Sequence, residues 1–213
     1  MSAPAAICRR CGACCRQGGP ALYRDDLPLV RRGRLAPIHL LTLRRGEYVT
    51  DNVAGGVGPS PDELVKLRPG PDGRACLFFA EPPACAIHDD RPVQCRLLFC
   101  DAPEAVAARY RQDRLTRRDL MAPDDPLAAL VAHHEAETDL PRLDALCRRA
   151  LRGDAAAREA ALAVVRFDAA FRELLPARAG VPEAALPFYL GRPPALALPA
   201  CRALTRLGGL YKP

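Results

Sequence analysis

Residues 76–100 read CLFFAEPPACAIHDDRPVQCRLLFC, and residues 8–15 read CRRCGACC. Eight of the ten cysteines lie in these two blocks. Thiolates are soft ligands for zinc and for iron–sulfur clusters, and such centres gather about four of them. In the first block Cys8, Cys11 and Cys14 are two residues apart, with Gly12 free to bend the backbone between them. Cys15 follows at once. Adjacent side chains diverge, so Cys15 would serve a second ion, sit behind the first ligands, or act as a redox thiol. In the second block, gaps of eight, nine and four residues separate Cys76, Cys85, Cys95 and Cys100. These gaps suit ligands supplied singly from strands and turns. Neither block closes a centre by itself. The expectation is a shared centre, made by docking one block onto the other across the residues between them.

The rest of the composition agrees with metal as the purpose of the cysteines. No apolar run is long enough to span a bilayer, and residues 1–12 show no apolar signal segment. A cytoplasmic setting is therefore expected, where disulfides are rare and cysteine clusters bind metal. The formal charge is +6, almost all from arginine; Lys66 and Lys212 are the only lysines. Eight thiolates on two divalent ions would lower that charge by about four. Arg9, Arg10, Arg16, Arg74, Arg91 and Arg96 flank the cysteines, so the basic excess balances the metal site and does not mark nucleic acid as the main partner.

Around the blocks, Asp25 or Asp26 would cap a short helix over Leu27, Leu29 and Val30, ending near Gly33. Residues 39–53 suggest a hairpin turning at Arg45-Gly46. The glycines at 55, 56 and 58 read as a connector, because Pro59 blocks a direct run into a phosphate-binding helix. Ser60-Pro61-Asp62-Glu63 has the form of a capping box and predicts a helix stopping before Pro69. Residues 76–79 and 85–88 suggest two short strands.

Beyond residue 102, alanine and arginine dominate and helical periodicity takes over. Helices are expected over 103–115, 126–138, 141–152 and 155–175, the last ended by Pro176, with a short one over 200–207. The chain is thus expected to be mainly α with a small β element (α+β). Its metal-organised, cysteine-rich half would span 1–102, and a helical extension, 103–213, would pack on it. Cys147 and Cys201, each alone on its segment, read as packing residues. His133 and Glu137 are one helical turn apart, a spacing that can hold metal, but His134 continues an apolar stripe and suits packing.

The series C-x2-C-x2-C-C at 8–15, C-x-F at 76–78 and C-x-I-H-x2-R-P-x2-C-R at 85–96 resembles the YkgJ-type cysteine-cluster family, whose domain is described as chelating zinc or iron. The resemblance covers about half the chain. It implies Cys8, Cys11, Cys14, Cys15, Cys76, Cys85 and Cys95 as metal ligands, with Cys100 fitting less closely. His88 stands where the family often has Tyr and is a further candidate. A similar domain with an iron–sulfur cluster occurs in some flagellin lysine methylases. The reading is therefore a protein that binds zinc, iron or an iron–sulfur cluster. The alternative is an iron–sulfur enzyme acting on a protein substrate by redox or methyl-transfer chemistry.

Overall fold

The computed structural model describes residues 8–81, 84–99, 102–122 and 124–207. Its architecture is mainly α with small two-stranded sheets. After α1 (Leu27–Arg31) come β1 (Leu40–Leu43), β2 (Tyr48–Thr50), β3 (Val57–Pro59) and β4 (Leu64–Leu67). β1 pairs antiparallel with β4, and β2 with β3.

This pairing corrects the expected hairpin over 39–53. The turn at Gly46 exists, with φ of 83°, but the strands on either side of it pair elsewhere. Two fully buried charged residues make the corner. The Arg44 amide donates to Glu47 Oε2 (2.9 Å), and the Glu47 amide donates back to the Arg44 carbonyl (3.1 Å). The chain leaves this corner in a new direction, and the glycine connector at 55–56 becomes the turn of the β2–β3 hairpin.

The capping box expected at Ser60 is also overturned, since the segment it was to open is β4. Ser60 Oγ donates to the Asp62 carbonyl, and the Glu63 carboxylate accepts from the Arg117 amide (2.8 Å). Leu64, Val65 and Leu67 are buried. Their backbone is satisfied laterally: the Leu22 amide donates to Val65, the Val65 amide to Leu115 and the Leu67 amide to Pro20. Burial against β1 and these bridges outweighs a local helix signal worth about 1 kcal/mol.

The second cysteine block forms β5 (Phe79–Ala80) and β6 (Ala84–Cys85), a shorter hairpin than expected, and then α2 (Val93–Leu97). α3 (Glu104–Arg109) ends well before residue 115. Asp113 adopts φ of 53°, and its carbonyl accepts from the Arg24 amide, so the chain bends away and delivers Leu115 to the sheet.

After α4 (Arg117–Leu120) the helical pattern is close to expectation: α5 (Pro126–Glu137), α6 (Leu140–Leu151), α7 (Ala155–Ala179), α8 (Leu186–Leu190), α9 (Pro194–Ala197) and α10 (Pro199–Leu207). Asp125, Asp139 and Asp154 cap α5, α6 and α7 by accepting from backbone amides two or three residues ahead. α7 does not stop at Pro176. Proline near a helix end forfeits little, and the helix runs on to a left-handed cap at Gly180.

One apolar core gathers Leu22, Leu40, Val65, Leu115 and Phe188 with Cys76. A second, alanine-rich core lies between α6, α7 and α10. A buried polar chain joins them. Arg44 donates to Glu135 Oε2 (2.7 Å) and to Thr138, Glu135 also accepts from Arg117 (2.7 Å), and Arg117 donates to Glu63 and to the Tyr189 carbonyl.

The segment after the first block meets β4 at Gly19. A Cβ there would lie 2.3 Å from the Leu67 carbonyl oxygen, against backbone that cannot yield. Gly19→Ala is expected to cost about 1–3 kcal/mol, while Gly58→Ala, with open space around it, should stay within about 0.5 kcal/mol. Thermal unfolding of both variants checks this; equal midpoints would contradict it.

Candidate metal centre

The cysteines are brought together by the contacts of their neighbours. The Cys76 amide donates to the Cys15 carbonyl (2.8 Å), joining the two blocks directly. Arg16, next in chain, lies over the Phe79 ring at 4.8 Å and pairs with Glu81 at 2.6 Å. Gly12 also packs on Phe79, where a Cβ would meet the ring at 2.6 Å. Cys85 sits opposite Phe79 in the β5–β6 pair.

Cys95 arrives on α2, which is docked by two side chains. Fully buried Asp26 accepts from the Val93 amide (2.8 Å) and the Tyr23 amide (2.9 Å), and Gln94 accepts from the Ala21 amide. Sequence reasoning took Asp26 only as a candidate helix cap and missed Gln94. Asp26 does not cap α1; its carboxylate ties the segment after the first block to α2.

Cys14, Cys15, Cys76, Cys85 and Cys95 all face one cavity. They also sense one another electrostatically. Burial, then the adjacent Cys14, pushes the Cys15 thiol up to about 12. Burial likewise raises Cys76 and Cys95, with Cys14 and Cys85 adding to both. Cys14 and Cys15 hydrogen-bond to each other and do not diverge. Cys8 is half-buried and Cys11 is exposed on the loop above. Cys100 lies outside the described residues.

The donor set fits zinc or iron in its chemistry: five soft thiols, two from the first block and three from the second, lining one cavity. Among the described residues, no group of three or more His, Cys, Asp or Glu side chains could hold an ion as it stands.

His88 is held beside the loop. Its Nδ1 accepts from Arg10 (3.2 Å), and Arg91 donates to its carbonyl (2.9 Å). Its Nε2 is buried without a hydrogen bond among the described residues.

Residues 7–112 match the family model CxxCxxCC, described as “Putative zinc- or iron-chelating domain”. The chain belongs to the CxxCxxCC family. The matched span runs from the first cysteine block through α3. Neither a curated protein nor a solved structure matches the chain.

Beyond the CxxCxxCC domain, the structure joins two cysteines that the sequence treats as separate. Cys147 on α6 and Cys201 on α10 are both fully buried and share a side-chain hydrogen bond. That bond, with burial, pushes the Cys201 thiol up.

His134 is also fully buried. Its Nε2 bonds to Asp168 Oδ1 (2.8 Å), and Arg172 Nε donates to Asp168 Oδ2 (2.8 Å). This resembles a catalytic dyad in composition only, since no face of it is open to a substrate. His133 packs edge-on to Phe167, with ring centroids 5.8 Å apart. Among the described residues, no helix is long and apolar enough to cross a membrane.

Proposed function

We propose that the protein chelates zinc or iron through thiolates of Cys14, Cys15, Cys76, Cys85 and Cys95, with Cys8 and Cys11 closing from the loop above. The observation that carries this is the convergence of five thiols from both blocks on one cavity. Neutral buried thiols pack as small apolar groups. Ionisation on a metal replaces that packing with bonds of about 2.3 Å to sulfur, so loading would draw the cluster inward. His88, with its orphaned Nε2, is a further donor close to the loop. Cys100 follows α2 in chain and stays a candidate from its sequence position.

Two finer readings follow from the nature of the centre. With zinc, the metal is structural or in transit through a binding protein. With an iron–sulfur cluster, redox or methyl-transfer chemistry on a protein substrate becomes available. Free thiols in such number suit a reducing compartment such as the cytoplasm. Elemental analysis and an absorption spectrum of anaerobically purified protein separate the two. Stoichiometric zinc in a colourless sample supports the first; iron, sulfide and a broad visible band support the second. A sample free of both metals that takes up neither on reconstitution would contradict chelation.

Burial raises the Cys15, Cys76 and Cys95 thiols, so a metal must displace their protons. Zinc loading is therefore expected to release protons, and affinity should rise with pH between about 6 and 9, before zinc hydrolysis intervenes. Titrations in buffers of different ionisation enthalpy measure the proton count; affinity independent of pH would contradict thiolate ligation.

A further inference from the structure

The cavity bordered by the five cysteines has a volume of about 1120 Å³. That is more than a metal ion needs and within reach of a small-molecule site. Its other walls come from β4, the β2–β3 hairpin and the segment after α3, and they carry Lys66, Arg111 and Arg114 as well as Asp51, Asp62, Glu63 and Asp113.

Lys66 projects from β4 into this space and lies against Gly18, its Nζ 3.7 Å from where a Cβ there would stand. Among the described residues its ammonium makes no hydrogen bond and no ion pair. Arg192 and Arg114 are close enough to repel it, while Cys76 and Glu47 attract it. Glu47 is already engaged by Arg192 and by the Arg44 amide. Arg114 also lines the cavity. Its guanidinium stacks on Tyr110 at 4.5 Å, and its Nε is buried without a partner among the described residues. Arg91 lines the cavity from the cysteine side, between β6 and α2; it donates to the His88 carbonyl, and its Nε is buried without a partner among the described residues.

Of the four carboxylates that line the cavity, three have partners among the described residues, Asp113 pairing with Arg109 at 3.9 Å. Asp51 accepts from the Val53 and Ala54 amides and from Arg111, and Glu63 is held by Arg117. Like charges gathered in a partly dehydrated cavity repel strongly unless an anion joins them. Guanidinium and ammonium groups on one concave wall are the donors that oxyanions select.

We propose that Lys66 and Arg114 form a binding site for a small molecule bearing an oxyanion, phosphate or carboxylate, which is thereby held beside the cysteines. The site would position a substrate or an external metal ligand next to the thiols. It goes beyond metal chelation and does not depend on which metal binds.

Isothermal titration of the full, metal-loaded chain with inorganic phosphate and, separately, with succinate tests the proposal. Saturable binding of at least one is expected, and the stronger probe distinguishes phosphate from carboxylate ligands. Lys66→Met and Arg114→Gln should each weaken it at least tenfold, and Lys66→Arg should retain most of it. Metal content and unfolding midpoint, measured in parallel, should be unchanged in Lys66→Arg and in Lys66→Met. The proposal is overturned if neither anion binds saturably or if both charge-removing variants bind as the parent does. It is overturned equally if Lys66→Met loses its metal, because the cation then serves the thiolates. Metal chelation itself survives all three outcomes.

Discussion

Asp168→Ala is expected to destabilise the fold by about 3–5 kcal/mol, the largest single-residue effect in the helical half. Asp168 is almost fully buried on α7. One carboxylate oxygen takes His134 and the other takes Arg172, each at 2.8 Å. Arg172 in turn donates to the carbonyls of Gly191 (3.1 Å) and Leu190 (3.3 Å), holding the turn after α8. Burial alone would raise the Asp168 carboxyl; the bonds from His134 and Arg172 outweigh it and leave the group below its usual range. Alanine removes the only carboxylate among the described residues that pairs with Arg172, leaving a charge without compensation inside the protein. Asp168→Asn should cost less, because an amide still accepts a hydrogen bond. Urea unfolding measures both, and a loss below about 1 kcal/mol for the alanine variant would show that the network is incidental. Acid should weaken the same region. Burial lowers His134 from 6.5, so the unfolded chain takes up that proton first. Stability from His134 is then complete above about pH 6.5 and falls as the pH drops below it.

Removing the metal is expected to free the two cysteine blocks while leaving the helical half closed. Without metal, the first block is held by few contacts. They include one backbone bond from Cys76 to Cys15 and an exposed Arg16–Glu81 pair. Exposed pairs contribute about 0–1 kcal/mol. Closing a loop of about sixty residues costs several kcal/mol of chain entropy. Metal–thiolate binding of about 10 kcal/mol or more offsets that and reappears as folding stability. Hydrogen exchange should therefore accelerate across 8–17 and 76–98 on chelation by orders of magnitude. Amides of α6 and α7 should change little, since their core contains no proposed ligand. Unchanged exchange in the blocks would mean that the apolar core around Cys76 and Ile87 suffices to hold them.

The parts of this architecture written in local chemistry were legible from the sequence. Proline near the first turn and an apolar repeat identified α5 and α6 to within a residue or so, and helical periodicity identified α7 apart from its last four residues. The cysteine spacing identified the family. What failed depended on distant partners. Ser60 to Glu63 imitates a helix start, yet Glu63 is claimed by Arg117, 54 residues on, and Val65 by Leu22 and Leu115. The hairpin expected across Gly46 failed because Arg44, a charged residue in a nominal loop, is fully buried against Glu135 and Thr138. Burial of an arginine has no local signature. The same holds for Asp26 and Gln94, which look like ordinary surface residues and instead deliver Cys95. Cys147 and Cys201 are buried packing residues as expected, but their meeting depends on how α6 and α10 cross.

The central claim is that one metal centre is built from both cysteine blocks. Metal content per chain, measured by elemental analysis on four proteins, tests it most directly: the parent, Cys14→Ser/Cys15→Ser, Cys76→Ser/Cys95→Ser, and Cys147→Ser. A shared centre predicts that either double variant loses most of the bound metal while Cys147→Ser keeps the parent value. Full metal retention in either double variant would contradict it, because one block would then suffice without the other.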